Sequence, residues 1–74
     1  MSAMIGKFKA VGGAEPTDAS KTSWAGYCLL THEAEGIRTE IRVNVLGKTF
    51  PNEELARQEG MARALVEHQR GNIS

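Results

Sequence analysis

A chain of 74 residues has room for one domain, residues 1–74, and a domain of that size buries only about 60% of the surface its unfolded chain exposes. Nine basic residues balance nine acidic ones, so there is no net field of the kind that draws a protein to nucleic acid or to an anionic membrane. Cys28, the single cysteine, excludes an internal disulfide, and one Cys with two distant His residues is no zinc set.

A core this thin is nearly cancelled by the entropy of ordering the chain, and small folds then rely on a disulfide, a metal or a partner chain. With the first two excluded, self-association is the remaining device. The uncharged stretch from Thr22 to His32 is too short and too polar at its ends to span a bilayer, and MSAMIGKFK lacks the apolar run of a signal peptide. The expectation is a cytoplasmic protein with a reduced thiol. Cys28 stands in an apolar run between Tyr27 and Leu29, where it serves as a small buried hydrophobe and not as a nucleophile.

In chain order, MIGKFKAVGG reads as one short strand, with Phe8 and Ala10 on one face and Lys7, Lys9 and Val11 on the other. Residues of about 13–23, GAEPTDASKTS, have no hydrophobic period and read as a mobile loop. WAGYCLLT, from Trp24 to Thr31, is too short and too glycine-interrupted for a helix and reads as the middle strand. HEAEG then forms a polar connection in which Gly36 supplies the positive φ of a hairpin. The clearest signal follows: Ile37, Thr39, Ile41, Val43 and Val45 alternate with Arg38, Glu40, Arg42 and Asn44, which predicts a strand with one buried face.

Asn52 is a good N-cap, Glu53 and Glu54 suit the positive end of a helix dipole, and Gly71 and Asn72 stop the helix, leaving 71–74 as a tail. On a 3.6-residue wheel Leu55, Met61, Ala62, Leu65 and Val66 share one arc, the face expected to cover the sheet. Ala56, Gly60 and Ala64 form a small-residue stripe on the opposite side, open to close approach of another backbone. The expected fold is α+β: a three-stranded antiparallel β-meander with one C-terminal amphipathic helix packed on one face, in the order β-β-β-α. Trp24, Cys28 and Leu30 are assigned to the helix-facing side of the middle strand, with Trp24 as the core anchor, because that puts the largest side chain into the core; the competing register would bury Tyr27 and Leu29.

Trp24 opening the middle strand, the β-branched third strand and the phenylalanine before an acidic helix start, TFPNEELARQEG, together resemble small bacterial domains of unknown function with the same strand and helix order. The resemblance covers most of the chain, rests on pattern, and implies no activity. TFPNEELA is also similar to the helix start of antitoxins of the HicB type, which implies a nucleic-acid-linked regulator as the alternative function. The Pro- and Gly-rich stretch that those antitoxins carry before that helix has no counterpart here.

No residue set points to an enzyme. His32, Glu33 and Glu35 offer one imidazole and two carboxylates, but on a solvated hairpin connection without a rigid surround, so neither metal nor acid and base work is expected of them. AVGGAEPT lacks the spacing of a phosphate cradle, and Ser2, Ser20, Ser23 and Ser74 lie in loops or termini, away from any nucleophile elbow. Arg38, Arg42 and Tyr27 superficially resemble a base-stacking sheet, but Glu40 between the arginines favours an ordinary charged strand face.

The function expected from these readings is a non-enzymatic interaction module, without cofactor or metal, that self-associates as a dimer or binds an unidentified protein. Nucleic acid and membrane are not expected partners. The candidate interface residues are Tyr27, Leu29, Arg38 and Arg42 on the sheet and Ala56, Gly60 and Ala64 on the helix.

Overall fold

In the computed structural model, which describes residues 2–73, the segment MIGKFKAVGG is a hairpin and not a single strand. β1 (Ser2–Ile5) pairs antiparallel with β2 (Phe8–Pro16), Ile5 opposite Phe8, around the turn residues Gly6 and Lys7. Gly6 has φ +58°, a left-handed conformation that glycine takes without steric cost. The sheet therefore has four strands, in the order β1-β2-β3-β4, which corrects the expected three-stranded meander. Ile5 and Phe8 lie opposite one another on the same face although they are three residues apart, so the turn shifts the parity that a single strand would keep.

β3 (Trp24–Ala34) and β4 (Ile37–Asn44) are joined by only Glu35 and Gly36, with φ of 54° and 77°. Positive φ at both central residues is the type I′ pattern that matches the twist of a two-residue hairpin. His32, Glu33 and Ala34 thus belong to the strand and not to the connection. On the other side, β2 continues through Gly13 to Pro16, paired with β3 as far as Trp24, so the expected 13–23 loop shrinks to 17–23. That loop is closed by the Thr17 N–H donating to the Ser23 carbonyl (2.9 Å) and by Asp18, whose carboxylate accepts from the Thr22 hydroxyl (2.9 Å) and N–H (3.1 Å). These bonds to the charged form hold the Asp18 carboxyl below its ordinary range.

Helix α1 (Glu53–Gln69) begins where the sequence places it: Asn52 caps it, its side-chain oxygen accepting from the Leu55 N–H at 2.8 Å. At the other end the Asn72 N–H donates to the Glu67 carbonyl (3.0 Å) and the Gly71 N–H to His68 (3.0 Å), with Gly71 at φ 79°. This Schellman arrangement satisfies terminal carbonyls and reverses the chain. Ile73, expected in a tail, is turned into the core as a result and is buried.

The register puts Ile5, Phe8, Ala10, Cys28 and Leu30 on the helix side of the sheet, with Phe8, Leu30 and Cys28 the largest fully buried side chains. The parity expected for the middle strand is thus the observed one. Trp24 is not the anchor, however: it is half-buried and lies outside the central cluster, tied at the end of the sheet to Phe50 by reciprocal backbone bonds of 2.8 Å.

The helix face is the largest correction. Ala56, Gly60 and Ala64 face the sheet and are buried, whereas Leu55 and Leu65 are 37% and 47% exposed. A Cβ at Gly26 would meet the Ala56 carbonyl, and one at Gly12 would come 2.7 Å from the Arg57 carbonyl oxygen, so the helix rests almost directly on the β2–β3 backbone. The wheel ranks faces by hydrophobicity, but this sheet presents glycines where the helix crosses it. A row of glycines accepts a row of small residues and leaves no space for leucine.

Candidate functional site

An α-helix is about 10 Å wide and strands are about 4.8 Å apart, so one helix covers two strands well and leaves the rest of a four-stranded sheet uncovered. Here α1 lies over β2 and β3, and the outer strand β4 keeps an incompletely covered apolar row on the helix side. Ile37 is 68% exposed, Ile41, Val43 and Val45 are half-buried, and Leu46, just beyond, is 84% exposed. Between this row and the helix runs a groove, with a 280 Å³ recess bordered by Val45, Leu46, Ala62 and Val66 and by the charged Lys48, Glu59 and Arg63. Alternation alone places the whole β4 row in the core. The width of a single helix was the signal that placed part of it outside.

The opposite face of the sheet bears Tyr27, Leu29, Arg38 and Arg42 together, as their register requires. The Tyr27 ring fills the space that a side chain at Gly13 would take, and the Arg42 guanidinium lies over it, 3.9 Å from the ring centroid. Arg42 is held in that position by Glu15 (2.7 Å) and by Asn44 (2.9 Å). A base stacking on Tyr27 would have to displace a cation that already has a π and a carboxylate partner. Leu29 is half-buried beside Val11, and Arg38 pairs with Glu40 at 3.4 Å. At one end of this face an open cleft of 420 Å³ is lined by Met4, Lys7, Lys9, Thr31, His32 and Arg38, with Glu33 among them.

Of the proposed interface residues, then, the four on the sheet share one exposed face. The three on the helix do not join them, because Ala56, Gly60 and Ala64 use their close approach inside the chain, against β3 and β2.

Of His32, Glu33 and Glu35, the first two border the open cleft from neighbouring positions of β3, whose side chains leave opposite faces of the sheet. The His32 Nδ1 donates to the Lys7 carbonyl (3.2 Å) and its ring meets Phe8 edge-on at 6.1 Å, which gives the imidazole a packing role at the sheet end. Glu35 is in the turn, away from both. Among the described residues no group of three or more His, Cys, Asp or Glu side chains is placed to hold a metal ion, and no helix is long and apolar enough to cross a membrane.

Cys28 is fully buried, its thiol donating to the Met61 sulfur at 3.6 Å, and burial pushes its pKa up. A neutral thiol under a helix is a poor nucleophile. Iodoacetamide is therefore expected to label the native protein at a rate limited by opening of the fold and the urea-unfolded protein at once. Equal rates, read by mass spectrometry, would place Cys28 at the surface. Compared with family models, with characterised proteins and with solved structures, the chain matches none of them.

Proposed function

We propose that the protein is a non-enzymatic interaction module that self-associates, as a homodimer in the cytoplasm, through apolar surface that one chain leaves uncovered. The observation that carries this reading is the half-covered β4 row and the groove beside it. Residues of that kind on an otherwise charged strand contribute to stability only when something lies against them, at about 25 cal/mol per Å² removed from water. A second copy is the occupant always present at the concentration of the protein itself. A buried, neutral Cys28 is no ready nucleophile, and His32, though it borders the same cleft as Glu33, is engaged by the Lys7 carbonyl and the Phe8 ring, which favours binding over catalysis. Arg42 over Tyr27 weighs against a base-stacking platform.

Sedimentation equilibrium from micromolar to sub-millimolar concentration tests the reading. A mass approaching twice 8.0 kDa is expected, with about 1,000 Å² or more of surface buried in total. A mass of 8.0 kDa across the whole range would overturn it.

A further inference from the structure

We infer that two copies join edge to edge through β4, antiparallel about a two-fold axis at Ile41, to form one continuous eight-stranded sheet; this rests on the self-association proposed above. β4 is an edge strand, since the sheet order is β1-β2-β3-β4, and its eight residues include neither proline nor lysine, two of the devices that blunt an edge. β1, the opposite edge, has only four residues. The outer side of β4 offers a row of backbone N–H and C=O groups that a second strand satisfies.

Charge selects the register. A two-fold axis normal to the sheet sets each residue opposite one of the same face, so the axis falls on a particular residue of β4. On Glu40 it would set Glu40 against its own copy and Arg38 against Arg42, a run of like charges. On Ile41 it sets Glu40 opposite the partner's Arg42 twice and Arg38 opposite Asn44 twice. The helix side is matched as well: Ile41 meets Ile41, Thr39 meets Val43, and Ile37 meets Val45, which extends the strand by its N–H bond to the Gly26 carbonyl (2.9 Å). Nine residues of each chain then pair over about 30 Å. An axis on Thr39 also sets Arg38 against Glu40, but it leaves Arg42 opposite the turn residue Gly36 and Val43 and Val45 without strand partners. The axis at Ile41 joins the two half-covered rows into one apolar strip between the two helices, which are both on the same side of the sheet.

Two sets of variants of the full chain test this, each followed by sedimentation equilibrium and thermal melting. Glu40→Arg opposes two pairs of arginines and is expected to weaken association by about tenfold or more. Adding Arg42→Glu, together with Glu15→Arg to keep the contact that residue 42 makes within its own chain, is expected to restore it to within about threefold. In the second set, Ile41→Cys puts two thiols about 5 Å apart across the axis, within disulfide reach, whereas Thr39→Cys puts them about 13 Å apart. Under mild oxidation Ile41→Cys should cross-link about tenfold faster; buried Cys28 does not compete. Faster linkage of Thr39→Cys would overturn the register. A dimer that neither links nor responds to charge reversal would overturn the β4 edge while leaving self-association standing, and a monomer throughout would overturn both.

Discussion

Phe8→Ala is expected to unfold the domain. Phe8 is the largest fully buried side chain, 1% exposed, and it fills the space between the β1–β2 hairpin, the sheet end and the last turns of α1 where Ile5, Leu30, Ala64 and Ile73 converge. Its ring also meets His32 edge-on at 6.1 Å and is overlain by the Lys7 ammonium at 5.5 Å. Truncating a buried phenylalanine costs about 3–5 kcal/mol, the transfer energy of the ring plus the cavity it leaves. A core of this size rarely supplies more than about 3–5 kcal/mol in all, so the two quantities meet. Urea titration followed by circular dichroism reads the result. Trp24→Ala is expected to cost less, because that ring is only half-buried and its strand end is held by backbone bonds to Phe50. The reverse order, with Trp24→Ala the more damaging, would show that the centre of the core lies at the other end of the sheet.

Gly60→Ala is expected to destabilise, although intrinsic propensity argues the opposite sign. In an exposed helix interior, alanine in place of glycine gains about 1 kcal/mol. At Gly60 the new Cβ would overlap the carbonyl of Tyr27 and lie 2.9 Å from the Tyr27 nitrogen. That neighbour is backbone on β3, hydrogen-bonded into the middle of the sheet, and it has no rotamer through which to give way. Lifting the helix instead would open the contacts of Ala56 and Ala64 on either side. Overpacking of this kind costs about 1–3 kcal/mol and outweighs the propensity gain, and Gly60→Leu should abolish folding. Gln58→Ala, on the exposed side of the same helix, is the control and is expected to stay within about 0.5 kcal/mol of the parent. A Gly60→Ala variant more stable than the parent would show that α1 does not rest on β3 through its small-residue stripe.

Sequence alone determined what local physics determines. The alternation from Ile37 to Val45 required a strand, Asn52 with Glu53 and Glu54 set the start of the helix, and Gly71 set its end. The two-residue period separated Cys28 and Leu30 from Tyr27 and Leu29, but which set is buried was decided by the tertiary structure, in which Trp24 is not the anchor. What only the tertiary structure decided is where surfaces meet. The two-residue turn at Gly6 and Lys7 returns Phe8 to the face of Ile5 and so shifts the two-residue parity, but with only four residues in β1 that shift is too short a signal to mark two strands. The helix face was decided by Gly12 and Gly26, some thirty to fifty residues away in the chain, which make the sheet complementary in shape to Ala56, Gly60 and Ala64. A hydrophobic wheel has no term for the shape of the surface opposite, and it therefore put Leu55 and Leu65 inside. The candidate interface on β4 was obscured for a related reason. Period shows which side of a strand faces the helix, but how far one helix reaches across four strands is fixed by its width and by where the glycines let it settle.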